Sequence, residues 1–177
     1  MSLAPRQSKG VGEFTVIAVS DGTLNTNHGV ILGIDPTESE RLTGVVTGQP
    51  IPLDVNCFIV RHGERNILVD AGAGHQMGPT LGQLARNLRA IGIAPESIET
   101  ILLTHLHPDH SLGLVDEAGR AVFPKAQLVV HEIEAAFWLD RTPMPYDSER
   151  VTRNTKAQRA VTAPYRDRIR RIRDGEV

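Results

Sequence analysis

Hydrophobic and polar positions along the chain fall into short blocks separated by Gly, Pro and Asp. Glu13–Val19 (EFTVIAV) is apolar and β-branched, predicting a strand that the turn pair Asp21-Gly22 breaks. Residues 35–53 carry Pro36, Gly44, Gly48, Pro50 and Pro52 and read mostly as loop. Val55–Val60 and Asn66–Asp70 read as two strands of a hairpin, with Arg61-His62-Gly63-Glu64-Arg65 as its polar tip. After the loop Ala71–Gly74, Gly78-Pro79-Thr80 opens a helix. Its apolar face is Leu81, Leu84, Ala85, Leu88 and Ile91, with Gly92 at the C′ position. Ile101-Leu102-Leu103 is short and wholly apolar, as a strand buried on both faces is. Gln127–Val130 predicts another strand. His131–Leu139 predicts a helix with Ile133, Ala136 and Phe137 on one side, ended by Pro143 and Pro145. A polar helix over 148–162 and an edge strand over Arg168–Arg173, stopped by Asp174-Gly175, complete the reading. Strands first and strand–helix alternation afterwards predict an α/β layered domain. Residues 1–12 are expected to be a flexible leading segment, and 13–177 a single domain.

Composition narrows the class. The 177 residues include 40% hydrophobic residues and 16 glycines, ordinary globular proportions that exclude wholesale disorder and rod-like repeats. No apolar run approaches membrane-spanning length, and the opening residues lack the apolar core of a secretory signal. The single cysteine, Cys57, cannot form an internal disulfide, which fits a reducing compartment and makes cytoplasm the expectation. The formal charge of −2 hides an asymmetry: residues 1–149 hold 10 basic and 18 acidic side chains, and 150–177 hold 9 basic and 3 acidic. A basic stretch can meet an anionic partner, but a solvated face is the plainer reading. No aromatic interleaves the arginines after Tyr165, which argues against nucleic acid.

The chemistry is concentrated in Thr104-His105-Leu106-His107-Pro108-Asp109-His110, which holds three of the seven histidines directly after a predicted buried strand. Strand-end loops are where α/β proteins place their sites. His105 and His107, two apart on an extended chain, point to the same side and suit one metal ion. Pro108 bends the chain, so Asp109 and His110 aim elsewhere, toward a second ion. Mixed nitrogen and oxygen donors suit zinc, with manganese or iron as alternatives.

His105-x-His107-x-Asp109-His110 resembles the HxHxDH signature of the metallo-β-lactamase superfamily. Ile67–Gly72 is similar to that family's strand and DxG segment, and Phe123-Pro124-Lys125-Ala126 with Phe137-Trp138 resembles its methyl parathion hydrolase and lactonase branch. The resemblance implies an αββα sandwich with two divalent metal ions at its edge. His105 and His107 would ligate the first, Asp109 and His110 the second, and Asp70 would brace the ligand loop. It implies a hydrolase in which metal-activated hydroxide attacks an ester, lactone or phosphotriester. Asp109 is then both ligand and the nearest proton-handling group. Phe123, Phe137 and Trp138 are candidates for an apolar substrate pocket, although aromatic bulk more often means core. The family's third histidine, bridging aspartate and last histidine have no counterpart after His110. The chain therefore reads as the N-terminal half of a longer hydrolase, or a truncated relic, with metal weakly held or absent in this chain alone. Among substitutes by type, Cys57 reads as a core residue, His62 as hairpin tip, His131 as a helix-start residue, His28 has only its type, and His75 is the least implausible. Half a sandwich would leave an apolar sheet face for the missing half or a second copy. A nucleic-acid-processing member of the superfamily and a non-catalytic assembly module with a vestigial metal loop are the competing expectations.

Overall fold

The computed structural model describes residues 7–176. Seven strands form one mixed sheet in chain order: β1 (Ser8–Val11), β2 (Phe14–Thr26), β3 (Ile51–His62), β4 (Arg65–Val69), β5 (Thr100–Leu102), β6 (Gln127–His131) and β7 (Ile169–Ile172). The first four pair antiparallel and the last four parallel. The parallel pairs need crossovers, and these carry α2 (Leu84–Ala90), α3 (Pro108–Ser111), α4 (Glu132–Ala135) and α5 (Glu149–Thr162). α1 (Pro36–Thr43) lies between β2 and β3.

Period-two alternation decides which sheet face meets the helices. Ile17, Val19, Cys57, Ile59, Leu68, Ile101, Leu128 and Val130 are buried against Leu84, Leu88, Leu106, Leu114, Val161 and Tyr165 in one core. On the opposite face, register aligns Val16, Val60 and Ile67, and aligns Ala18, Phe58 and Val69. Phe58 remains 40% exposed there, so only one sheet face is covered.

Several expectations need correction. Asp21-Gly22 does not end a strand: β2 continues to Thr26 through a bulge at that point. A bulge re-aims a side chain, and here it turns the Asp21 carboxylate inward, where it accepts from the backbone N–H groups of Ala73, Gly82 and Leu84. Residues 35–53 are not mostly loop. Asp35 caps α1 by accepting from Glu38 N, Pro36 opens it and Gly44 closes it in the left-handed region. Its capping residues were legible, but its only buried residue is Ser39, so no apolar period marked it. Ser8–Val11, expected to belong to a flexible segment, is an edge strand, whereas Met1–Arg6 lie outside the described residues. Gly78-Pro79-Thr80 forms no helix, because Gly78 and Gly82 both have positive φ and α2 begins only at Leu84.

After α4 the chain widens into one π turn, Ala136–Asp140. Here the expected apolar side is the wrong one. Ala135 and Trp138 face the core, while Ile133 is 67% exposed and Phe137 and Ala136 are exposed beside it. α5 is unusual in burying a mainly polar side: Asn154, Thr155, Gln158 and Thr162, with Val161 the apolar exception.

Tyr165 is the largest fully buried side chain. Its hydroxyl donates to Leu114 O (2.7 Å) and accepts from Phe123 N (3.2 Å). Burial pushes its pKa from 10.0 to about 12. The neutral phenol is thus favoured in the fold, so stability is unaffected below pH 10 and falls as pH rises from 10 toward 12. The expected loss is about 2–3 kcal/mol by pH 12. Tyr165→Phe should cost about 1–3 kcal/mol at neutral pH, by leaving the buried Phe123 N–H unpaired, while Leu114 O keeps its bond from Val122 N. It should also flatten the alkaline decline; urea midpoints measured across pH test both.

Candidate metal and catalytic site

The ligand segment begins where β5 ends, at the carboxyl edge of the parallel strands. Asp70, just past β4, adopts φ 59°, the one positive φ of a non-glycine among the described residues. That conformation costs about 1–3 kcal/mol and persists only where surrounding contacts hold it. The contacts are specific. Asp70 accepts from Thr104 N (2.8 Å) and from the Thr104 hydroxyl, and its Oδ2 lies 2.8 Å from His110 Nδ1. Ala71 N donates to His110 O (2.8 Å) and Gly113 N to Gly72 O (3.1 Å), stitching the post-β4 loop to the histidine segment. Asp21 holds the same loop from the other side.

His107 caps α3, with Pro108 as its first residue. The Ser111 hydroxyl lies between His107 O (2.8 Å) and Gln158 Oε1 (2.6 Å), tying the segment to α5. Glu134 of α4 accepts from Leu106 N (2.7 Å), between the two histidines of the H-x-H pair. Ring centroids stand 4.6 Å apart for His105 and His107 and 4.0 Å for His105 and His110. His110 Nε2 lies 3.3 Å from Asp109 Oδ2. The sequence-predicted set His105, His107, Asp109 and His110 is therefore brought together, with Asp70 behind it.

Electrostatics divides the cluster. Hydrogen bonds to Asp109 and Asp70 raise the His110 pKa to about 9. The same contact with His110 lowers that of Asp109, so this carboxylate stays ionised. Burial, then the neighbouring imidazoles, lower that of His105. Three imidazoles and a carboxylate suit a divalent transition metal in donor type. In number they fall short: among the described residues no group of three or more His, Cys, Asp or Glu side chains is arranged to hold an ion. The substitutes stand elsewhere. Cys57 is core, His28 contacts the Ser39 hydroxyl, His62 stacks on Phe14, His131 caps α4 and His75 is exposed on its loop.

A cleft of about 560 Å³ opens beside His105 and His107, within the range of small-molecule sites. Phe137 and Trp138 of the π turn line it, and Trp138 meets His107 edge-on at 5.7 Å. Phe123 does not: it is fully buried, with its N–H on Tyr165, and belongs to the core. Sequence reasoning missed Glu134, Asp21 and Gln158. Glu134 reads as a surface acid of a helix and Asp21 as a turn residue, and only the packing gives either a partner.

A helix-backed mixed sheet with a histidine-rich loop at a parallel strand tip, beside a cleft, defines a layered α/β domain with its candidate site at the sheet edge. The metallo-beta-lactamase superfamily pattern matches residues 50–177, and the chain belongs to that superfamily. It is similar to the N-acyl homoserine lactonase AiiB of Agrobacterium fabrum (strain C58 / ATCC 33970), 27% identical over 138 residues, covering 68% of this chain and 45% of AiiB. It also resembles the crystal structure of AbOPH, a hydrolase of the beta lactamase superfamily. There the TM-score is 0.87 at 29% identity, covering 99% of this chain and 63% of AbOPH. AidC, a dizinc quorum-quenching lactonase, shares the fold, with a TM-score of 0.83 at 22% identity, covering 97% of this chain and 62% of AidC. The chain thus spans about half to two thirds of the length of these relatives.

No helix among the described residues is long and apolar enough to cross a membrane.

Proposed function

We propose that this chain supplies half of the active site of a metal-dependent hydrolase acting on a lactone or ester, with a phosphotriester as the alternative. The observation that carries the reading is the clustering of the His105, His107 and His110 rings, with Asp109 against His110, His105 and His107 lining a cleft, and Asp70 bracing Thr104 and His110 from behind. The lactonase AiiB supports the substrate class, as a relative by sequence. His105 and His107 would hold one divalent ion and Asp109 and His110 a second, zinc by donor type, with further donors from outside this chain. Bound metal of this kind supplies a water of lowered pKa and polarises the oxygen on which negative charge develops. This chain's residues do the rest. Glu134 fixes the pitch of the H-x-H pair through Leu106 N, and Asp109 is both a donor to the second ion and the nearest carboxylate for proton handling. Phe137 and Trp138 keep water from one wall of the cleft.

The open sheet face fits the same picture. Phe58, Val60, Ile67 and Val69 would be covered by the remainder of a longer chain, or by a second copy of this one. The basic C-terminal stretch is partly paired at the surface with acids of this chain: Arg171 with Asp140 and Arg173 with Glu132. That supports a structural use over nucleic-acid processing.

The test is His107→Ala in the complete protein, assayed on homoserine lactones and p-nitrophenyl esters. Hydrolysis should fall about a hundredfold or more as the metal-activated water is lost. Unchanged turnover would remove the assignment.

A further inference from the structure

The cleft wall opposite the aromatics is built by α5, and its residues ask for a ligand that the ligand loop does not explain. Asn154 is 6% exposed and lines the cleft, where its amide is open to the cleft's solvent and makes no hydrogen bond among the described residues. An amide that faces a cleft without a protein partner offers both a donor and an acceptor to a bound molecule. Arg150 lies one turn earlier on the same helix side, also lines the cleft, and makes no ion pair or hydrogen bond among the described residues. Other arginines nearby are engaged: Arg141 with Asp147, and Arg159 with the Arg141 carbonyl. The acid that shares the cleft, Glu134, has its Oε2 committed to Leu106 N. Ile133 and Val151 complete the lining with Phe137 and Trp138, so one cleft joins an apolar wall to an unpaired guanidinium and a bare amide. This also accounts for the exposure of Ile133 and Phe137, which the helical pattern placed on one side.

We propose that Arg150 and Asn154 form a specificity subsite for an anionic group, so that the preferred substrate is a carboxylate-bearing, chain-like ester or lactone. Its carbon chain lies on Ile133, Phe137 and Trp138. Its carboxylate accepts from the Arg150 guanidinium, whose fork matches a carboxylate, and from the Asn154 amide. The bond to be cleaved then falls on the His105 and His107 side. The proposal rests on the hydrolase reading for the fate of the bound molecule; binding itself needs neither metal nor turnover.

Trp138 is the sole tryptophan of the chain and lines this cleft, so its fluorescence reports occupancy directly. Octanoate and octan-1-ol, which share a chain and differ in charge, are titrated against the full chain, with calorimetry as the second readout. Octanoate should bind about tenfold or more tightly than octanol, the worth of one charge-assisted hydrogen bond. Arg150→Ala, an exposed change that leaves the fold intact, should abolish that difference while octanol binding stays the same. Asn154→Ala should weaken octanoate in the same direction. Equal binding of the two probes, binding of neither by both readouts, or an Arg150→Ala variant with full octanoate affinity would overturn the subsite. Each result is independent of whether His107→Ala abolishes hydrolysis, so the two readings fail separately.

Discussion

Asp70→Ala is expected to lower folding stability by about 3 kcal/mol or more and to weaken divalent-metal binding about 10–100-fold. Both effects come from one carboxylate. It accepts from Thr104 N and the Thr104 hydroxyl and meets His110 Nδ1, so its removal strands a backbone N–H and frees an imidazole. The backbone adds to the loss, because Asp tolerates φ near +60° better than Ala does. Asp70→Asn is the control: it keeps the tolerance and one acceptor, and loses the charge beside His110. Urea unfolding gives the stability. Competition with a chromophoric chelator in the complete protein gives the metal affinity. If stability falls while metal affinity stays at the wild-type value, Asp70 is a turn carboxylate and nothing more.

Gly113→Ala should cost about 3 kcal/mol or more and disturb His110 from a distance. A Cβ on Gly113 would stand 2.0 Å from the Ala71 carbonyl oxygen, and neither that atom nor its neighbours belong to a side chain that could swing away. The loop from Asp70 to Gly74 and the segment from Leu112 to Leu114 would have to part. Because Ala71 N also holds His110 O, the parting reaches the ligand segment. Gly119→Ala is the comparison: its φ is positive at 74°, but nothing lies within 4 Å of the added methyl, so only the backbone penalty of about 1 kcal/mol remains. Imidazole NMR signals of His110 should shift in Gly113→Ala and not in Gly119→Ala. Unmoved signals in a destabilised Gly113→Ala would disconnect the loop from the site.

Much of this protein was decided locally. The strand–helix order, the hairpin ending in Gly63-Glu64, the edge strand Ile169–Ile172 and the capped polar helix α5 follow from short-range chemistry: turn residues, β-branching and N-caps act over a few positions. The histidine-rich segment was equally legible, since four ligand-type side chains within six residues at a strand tip mark it from the sequence alone.

What the sequence could not decide is what depends on partners far along the chain. Asp21 and Gly22 have the residue types of a turn, yet three N–H groups some 50 to 60 residues later make the site a bulge. Ile133 and Phe137 share a helical side that periodicity marks as apolar; the packing buries Ala135 and Trp138 and turns Ile133 and Phe137 to a cleft. Phe123 and Trp138 are both buried aromatics, but only the fold leaves Phe123 wholly in the core and sets Trp138 edge-on against His107 as well. The sequence by itself determined most of the strand–helix order and the histidine-rich segment, because propensity and residue chemistry are carried by neighbours. Only the tertiary structure decided which faces pair, which polar groups are left waiting and where the cleft opens, because burial and hydrogen bonding are settled between segments distant in the chain.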